Sequence, residues 1–358
     1  MKIKVFRQLL KKEKIDLALV INSTLQDPNF FYFSGVKPES ALLLISNKFP
    51  SKIYCSPLEC AQLKSKSNIK SFYEYNKKTL EKIQLLIKKH KITKVGLNYS
   101  IITVNELKWL RKSFKGVKFI DISYFLIKFR AIKSLLEIKL YKKASKLTEN
   151  IWEKTIIQIK KQRLKTEMDV HNFIKNEAKK LGCENSFSTI VASGKNSAIP
   201  HYVPQNRKLA KGFCVVDFGI NYRGYCTDIT RTFFIGKPSK KEEELYQLVY
   251  NAKEHASSII KQGVSCSHVT KKTRLFLGKY NKYFTHGLGH GIGLVIHELP
   301  NLKVKSKEKF KENMVFTIEP GIYLPNKFGI RVEDDHVLTK KGVMKLTQAP
   351  KNLLVIHK

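Results

Sequence analysis

Much of what would assign this chain to a broad class is missing from it. Its six cysteines, at positions 55, 60, 183, 214, 226 and 266, include no C-x-x-C pair. That scatter excludes a zinc knuckle and suggests no disulfide framework. The longest apolar runs, such as Ala41 to Ile45, are far too short to span a bilayer. The N-terminus, Met1-Lys2-Ile3-Lys4 onward, carries charge throughout and has no apolar stretch of signal-peptide length. A cytoplasmic location without membrane association is therefore expected. Arginine is scarce as well: nine of the 67 basic residues are Arg, although the net charge is +38. Arg is the usual choice for bidentate phosphate and base recognition, so no specific nucleic-acid partner is expected. The lysines spread along almost the whole length and read as solvated faces, with only nonspecific attraction for polyanions. Neither a repeat nor a low-complexity tract is present.

What is there describes two domains. A length of 358 residues, with 42% hydrophobic and 27% charged residues, has room for about two globular units. In residues 1–125, strand-like runs (Leu17–Asn22, Ala41–Ser46, Lys52–Ser56, Lys94–Asn98, Lys118–Ser123) alternate with helical periodicity over Lys4–Lys14, Thr79–His90 and Thr103–Phe114. Thr103 with Glu106 forms a capping-box pattern. This alternation predicts an α/β domain. No Pro or Gly falls between Tyr124 and Leu181, so Leu126–Gln162 is expected to be mostly helical, and residues 126–358 form a second domain. There Thr166 should cap a helix to Lys180, with Gly182 as the stop, and Ser239 another to Gln262. A short helix over Ser265–Leu277 follows. Strands are expected at Ser188–Ala192, Phe213–Asn221, Cys226–Ile235, Met314–Tyr323 and Gly329–Thr339.

The stretch Thr285-His286-Gly287-Leu288-Gly289-His290-Gly291-Ile292-Gly293-Leu294-Val295-Ile296-His297-Glu298 holds three histidines and four glycines. The spacing His286-x3-His290 would suit a helical zinc site of the HExxH kind, but Gly287 stands where the general base belongs. Each glycine would also cost about 1 kcal/mol in a helix interior. A strand or loop in which backbone and histidines approach a ligand is expected instead.

Four carboxylates complete the pattern. Asp217 ends the apolar run Val215-Val216-Asp217, and Asp228 follows eleven residues later. Glu319 lies in Thr317-Ile318-Glu319-Pro320-Gly321, and Glu333 in Arg331-Val332-Glu333-Asp334. Carboxylates among Val, Ile and Phe are costly to bury unless paired or bound to metal. With His290 they would make a site that two divalent cations can share, holding a water between them. The oxygen-rich set favours Mn²⁺, with Co²⁺, Fe²⁺ or Zn²⁺ as alternatives, over a Cys-rich tetrahedral zinc site.

These blocks (Asn196–Tyr202, Asp217–Thr232, His286–Pro300, Thr317–Tyr323 and Arg331–Asp335) resemble the pita-bread metallopeptidases, the family of aminopeptidase P, prolidase and methionine aminopeptidase. The resemblance runs from about Arg130 to Thr339. It implies an α+β pita-bread (creatinase/aminopeptidase) catalytic domain, and the first 125 residues have the length of the extra creatinase-like domain of aminopeptidase P and prolidase. Methionine aminopeptidases lack that domain. It further implies that Asp217 binds one metal, that Asp228 and Glu333 bridge, and that His290 and Glu319 bind the other. Glu319 would pass a proton from the attacking water to the leaving proline nitrogen. His201, sixteen residues before Asp217, and His297 match positions that orient substrate and stabilise the oxyanion. His286 matches a second-shell or substrate-pocket histidine. Arg331 either anchors an acidic ligand or pairs with a carboxylate. The implied activity is cleavage of Xaa-Pro bonds in proline-containing peptides by a homodimer, with the aminopeptidase placed ahead of the dipeptidase (prolidase). A non-catalytic binding protein on the same fold is the alternative from another class.

Overall fold

The computed structural model describes residues Lys2–His357. The chain divides into two compact units, residues 1–129 and 130–358. The helix Ser123–Ala131 carries the backbone from one to the next.

The first unit is built on a mixed six-stranded sheet. In spatial order its strands are Ser71–Glu74, Lys52–Cys55, Ala41–Ser46, Leu17–Asn22, Lys94–Leu97 and Lys118–Asp121. Leu17–Asn22 and Ala41–Ser46 are apolar on both faces and buried along nearly their whole length, as expected of central strands. One core gathers Leu17, Leu19, Leu42, Leu44, Ile83, Val95 and Leu110. The capping box at Thr103 and Glu106 forms as expected, opening the helix Val104–Ser113. Two helices escape the sequence reading, Pro28–Ser34 and Pro57–Lys66.

The second unit carries two sheets that matter for function. A four-stranded sheet orders Leu354–Ile356, Ile229–Ile235, Gly212–Phe218 and Ile190–Ser193. A five-stranded sheet orders Glu298–Leu302, Gly289–Gly291, Val315–Ile318, Asp334–Thr339 and Gly342–Lys345. Behind the first sheet lie the helices Leu135–Lys160 and Glu167–Lys180, which bury Ile151, Ile156, Val170 and Ile174 against Val216, Phe218, Ile229 and Phe233. Each such side chain contributes about 1.5–3 kcal/mol on full burial.

The segment Leu126–Gln162 is mostly helical, as expected, in two helices separated at residues 132–134. Ser134 forms a capping box with Glu137 and so starts a new helix. Thr166 and Ser239 cap their helices as read from the sequence.

The His-rich stretch is a strand at Gly289–Gly291, held between two neighbours. Its glycines answer to those neighbours. A Cβ on Gly289 would collide with the carbonyl of Thr317, and one on Gly291 with the carbonyl of Leu299. The close approach at Gly289 and Gly291 is thus to flanking backbone, while Gly287, Gly289 and His290 line the cavity.

Candidate metal centre and active site

The ligand candidates sit where strands end or break. Asp217 pairs across from Thr230 in the four-stranded sheet, and Asp228 immediately precedes that partner strand. Ile318 lies opposite Asp334, and Gly321 opposite Arg331. Glu319 and Glu333 therefore occupy facing interruptions of two adjacent strand pairs. The Glu333 N–H donates to the Thr230 carbonyl at 3.2 Å, and Thr232 Oγ1 donates to the Arg331 carbonyl at 2.7 Å. These bonds fasten the four-stranded sheet to the end of the hairpin Gly321–Leu324 with Phe328–Arg331 and to the residues that follow it.

All nine residues singled out from the sequence line one cavity of about 590 Å³: His201, Asp217, Asp228, His286, His290, His297, Glu319, Arg331 and Glu333. Asp228, His290 and Glu333 form the tightest group, with ligand atoms within 4.8 Å of one another. His290 Nε2 lies 3.5 Å from Asp228 Oδ2 and 3.7 Å from Glu319 Oε1. Its Nδ1 meets the Gly291 carbonyl at 3.1 Å, a partner that fixes the tautomer and leaves the Nε2 lone pair facing the carboxylates.

The carboxylates of the site raise one another's pKa. Burial, together with Asp217, Asp335 and Glu319, pushes the Asp228 carboxyl well above the usual range. Burial, then Asp228, Glu319 and Asp217, does the same to Glu333. Burial raises Glu319 to about 7, although His290 and Arg331 oppose the shift. The atoms Asp217 Oδ1, Asp228 Oδ1 and Glu333 Oε1 are buried and accept no hydrogen bond. Such oxygens are costly unless a cation reaches them. The donor set of four carboxylates and an imidazole fits hard or borderline divalent ions.

Arg331 pairs with a carboxylate. Its Nη2 lies 2.7 Å from Asp217 Oδ2, Nε donates to Thr230 Oγ1 at 3.0 Å, and Nη1 donates to Tyr323 OH at 2.6 Å. Tyr323 OH in turn donates to His286 Nε2 at 2.8 Å, while His286 Nδ1 donates to the Gly287 carbonyl at 2.8 Å. Both ring nitrogens of His286 are thus engaged by protein. Burial first, then Arg331, depresses its pKa to about 3, so it stays neutral. His297 packs edge-on against His290, ring centroids 4.4 Å apart, and burial with His290 and Lys303 lowers its pKa.

Three residues of this constellation went unread in the sequence. Thr230 donates to Glu333 Oε2 at 2.7 Å, Tyr323 bridges Arg331 and His286, and Lys303 lines the cavity. Thr230 and Tyr323 were recoverable: each lies two or four residues from a ligand on a strand-like segment, at an alternation that faces the same side. Lys303, one lysine among many, gave no signal.

A cavity centred on buried carboxylates that cannot all ionise without a cation, and walled by histidines, belongs to a metallohydrolase. Comparison with known proteins makes the class specific. Residues 139–340 match Metallopeptidase family M24, and residues 2–132 match the Creatinase/Prolidase N-terminal domain. An Xaa-Pro dipeptidase of Pyrococcus horikoshii is 32% identical over 99% of this chain and 98% of its own. An Xaa-Pro dipeptidase structure from Bacillus anthracis superposes with a TM-score of 0.90, at 30% identity over 99% of both chains. An X-Pro aminopeptidase structure from Thermotoga maritima gives 0.88 at 32% identity, covering 96% and 98%. The chain belongs to Metallopeptidase family M24, with a creatinase-type domain preceding a pita-bread domain, and is a hydrolase.

Proposed function

We propose that this protein hydrolyses Xaa-Pro dipeptides at a two-metal centre held by Asp217, Asp228, His290, Glu319 and Glu333. The observation that carries the reading is the set of orphaned, charge-frustrated carboxylate oxygens converging with the free face of His290. Divalent ions bound there would supply Lewis-acid activation of a water and of the scissile carbonyl. The donor chemistry supports Mn²⁺, with Co²⁺, Fe²⁺ and Zn²⁺ as competitors.

The chain's own residues do the rest. Glu319 takes the proton of the attacking water and returns it to the proline nitrogen as the bond breaks. His201 and His297, on the cavity wall, orient the substrate and face the oxygen that gains negative charge. Arg331, Tyr323 and neutral His286 form a hydrogen-bonded chain that holds Asp217 in place. An Xaa-Pro bond has no N–H, so recognition by extended backbone pairing is weak and a closed, side-chain-lined pocket suits it better.

The choice of dipeptide over longer peptide reverses the order expected from the sequence. Two full-length dipeptidase relatives favour it, and so does Lys303. That side chain is exposed, lines the cavity beside His297, and its ammonium has no ion pair or hydrogen bond among the described residues. In a dipeptide the free carboxylate follows proline directly, within reach of such a cation; a longer peptide presents a neutral amide there.

The test is hydrolysis of Ala-Pro, Ala-Pro-amide and Ala-Pro-Ala by Mn²⁺-loaded protein, beside a Glu319→Ala control. Cleavage of Ala-Pro with strong discrimination against the other two, abolished in the control, is expected. Preference for the tripeptide would establish the aminopeptidase, and no cleavage of any peptide would remove the hydrolytic reading for Xaa-Pro bonds.

A further inference from the structure

Behind the His-rich wall lies a second charged group that contributes nothing to the cavity lining. Glu298 is 4% exposed, and its carboxylate meets two buried cations. Arg130 Nε donates to Oε1 at 3.0 Å and Lys133 Nζ to Oε2 at 3.4 Å. A buried ion triad is poor ground for claiming stability, since well-packed apolar residues serve as well. What this carboxylate does besides pairing is more telling. Oε1 also accepts the backbone N–H of Leu294 at 3.1 Å. A Cβ on Gly293 would collide with the same carboxylate, so the backbone closes directly around it. The Gly293 carbonyl accepts the Cys226 N–H at 2.9 Å, two residues before Asp228. The segment of residues 292–297 is therefore folded around one side chain and tied to Cys226, close in sequence to a metal-ligand candidate. It ends on His297, whose ring packs against His290.

We propose that Glu298, clamped by Arg130 and Lys133, is a positioning residue that shapes residues 292–297 so that the His297 ring is aimed across His290 into the substrate cavity. The inference rests on the hydrolytic reading given above for the role of His297. Its geometric content stands apart from turnover. The triad sets where the ring points, and the ligand set for metal is left untouched.

A double-mutant cycle tests this, using Glu298→Gln, His297→Gln and both together in Mn²⁺-loaded protein. Glu298→Gln should lower kcat on Ala-Pro about ten-fold or more, the size seen for outer-shell partners. KM and bound Mn²⁺ should change less than about two-fold. In the His297→Gln background the same change should cost almost nothing, because residues that act through one another are not additive. Equal losses in both backgrounds, or a loss that tracks bound Mn²⁺, would overturn the proposal. If Glu298→Gln fails to fold, Glu298→Gln with Lys133→Met restores the charge balance and is put through the same cycle. Histidine ring NMR of the metal-free protein gives a readout without turnover. The His297 resonances should shift in Glu298→Gln while those of His201 hold, and an unmoved His297 refutes the positioning role. Inactive wild-type protein would defeat the Xaa-Pro reading, and the ring resonances would still decide this one.

Discussion

Glu333 and Asp334 are consecutive, equally buried, and opposite in fate. Glu333 faces Asp228, Glu319 and Asp217, and its carboxyl is pushed well above the usual range by burial and those neighbours. Asp334 faces the other way, where it pairs with Arg231 at 2.9 Å and with Lys253 and accepts from Thr347 Oγ1 at 3.0 Å. Burial alone would raise it, but the two cations overcome that and bring it down to about 2. Asp334 thus belongs to an ion cluster made from protein, and Glu333 to a cluster of carboxylates that raise one another's pKa. Between these two neighbours, the carboxylate paired with cations faces the fold and the one crowded by other carboxylates faces the cavity.

The contrast can be broken at either residue. Asp334→Asn should destabilise the metal-free protein by about 3–5 kcal/mol, because it leaves Arg231 and Lys253 buried without a counter-charge. Glu333→Gln should leave the metal-free protein as stable as the parent or more so, while removing Mn²⁺-dependent activity. Denaturant unfolding in EDTA compares the two directly, and equal destabilisation would erase the distinction. The opposite order would invert it.

The pH dependence sharpens the same point. For Glu333 the folded pKa lies above the unfolded one, so its unfavourable contribution is absent below about pH 4. Above that, the unfolded state releases its proton while the folded state keeps it, and stability falls as pH rises. Asp334 has the reverse sign: its contribution is present above the unfolded value and is lost only as pH falls towards about 2. The stability advantage of Glu333→Gln over the parent, measured in EDTA, should therefore grow from pH 4 to pH 7 and vanish once Mn²⁺ is added. A difference that is flat with pH would contradict the assignment.

Smaller effects probe the walls of the site. Tyr323→Phe removes the O–H that satisfies His286 Nε2 and the acceptor of Arg331 Nη1, which should cost about 1–3 kcal/mol of stability. Lys303→Met should raise KM for Ala-Pro about ten-fold, equivalent to about 1.4 kcal/mol, and leave Ala-Pro-amide unchanged. Equal changes for both peptides would remove the carboxylate contact.

The legibility of the sequence follows the same division. Strands such as Leu17–Asn22 and Ala41–Ser46 were read to the residue because both faces are buried and the apolar run is unbroken. The helix Pro57–Lys66 was not, because it buries only Cys60 and leaves Leu58 exposed, so no apolar stripe marks it; Ser56-Pro57, a cap followed by proline, was the available sign. In the site, the ligand candidates stood out as acids in apolar strands. Glu298 and Lys303 did not, because an acid beside a histidine and one lysine among 58 have no local peculiarity. Their roles exist only once distant segments meet: Arg130 and Lys133 lie some 165 positions from Glu298.

The most direct measurement is calorimetric titration of Mn²⁺ into metal-stripped protein at pH 7, repeated in two buffers of different ionisation enthalpy. The account predicts two ions per chain, with protons released as Asp228, Glu319 and Glu333 give theirs up. Loss of that release in Glu333→Gln, and its persistence in Lys303→Met, would complete the picture. Binding that releases no protons, or no binding at all, would contradict the claim that these carboxylates are built to be neutralised by metal.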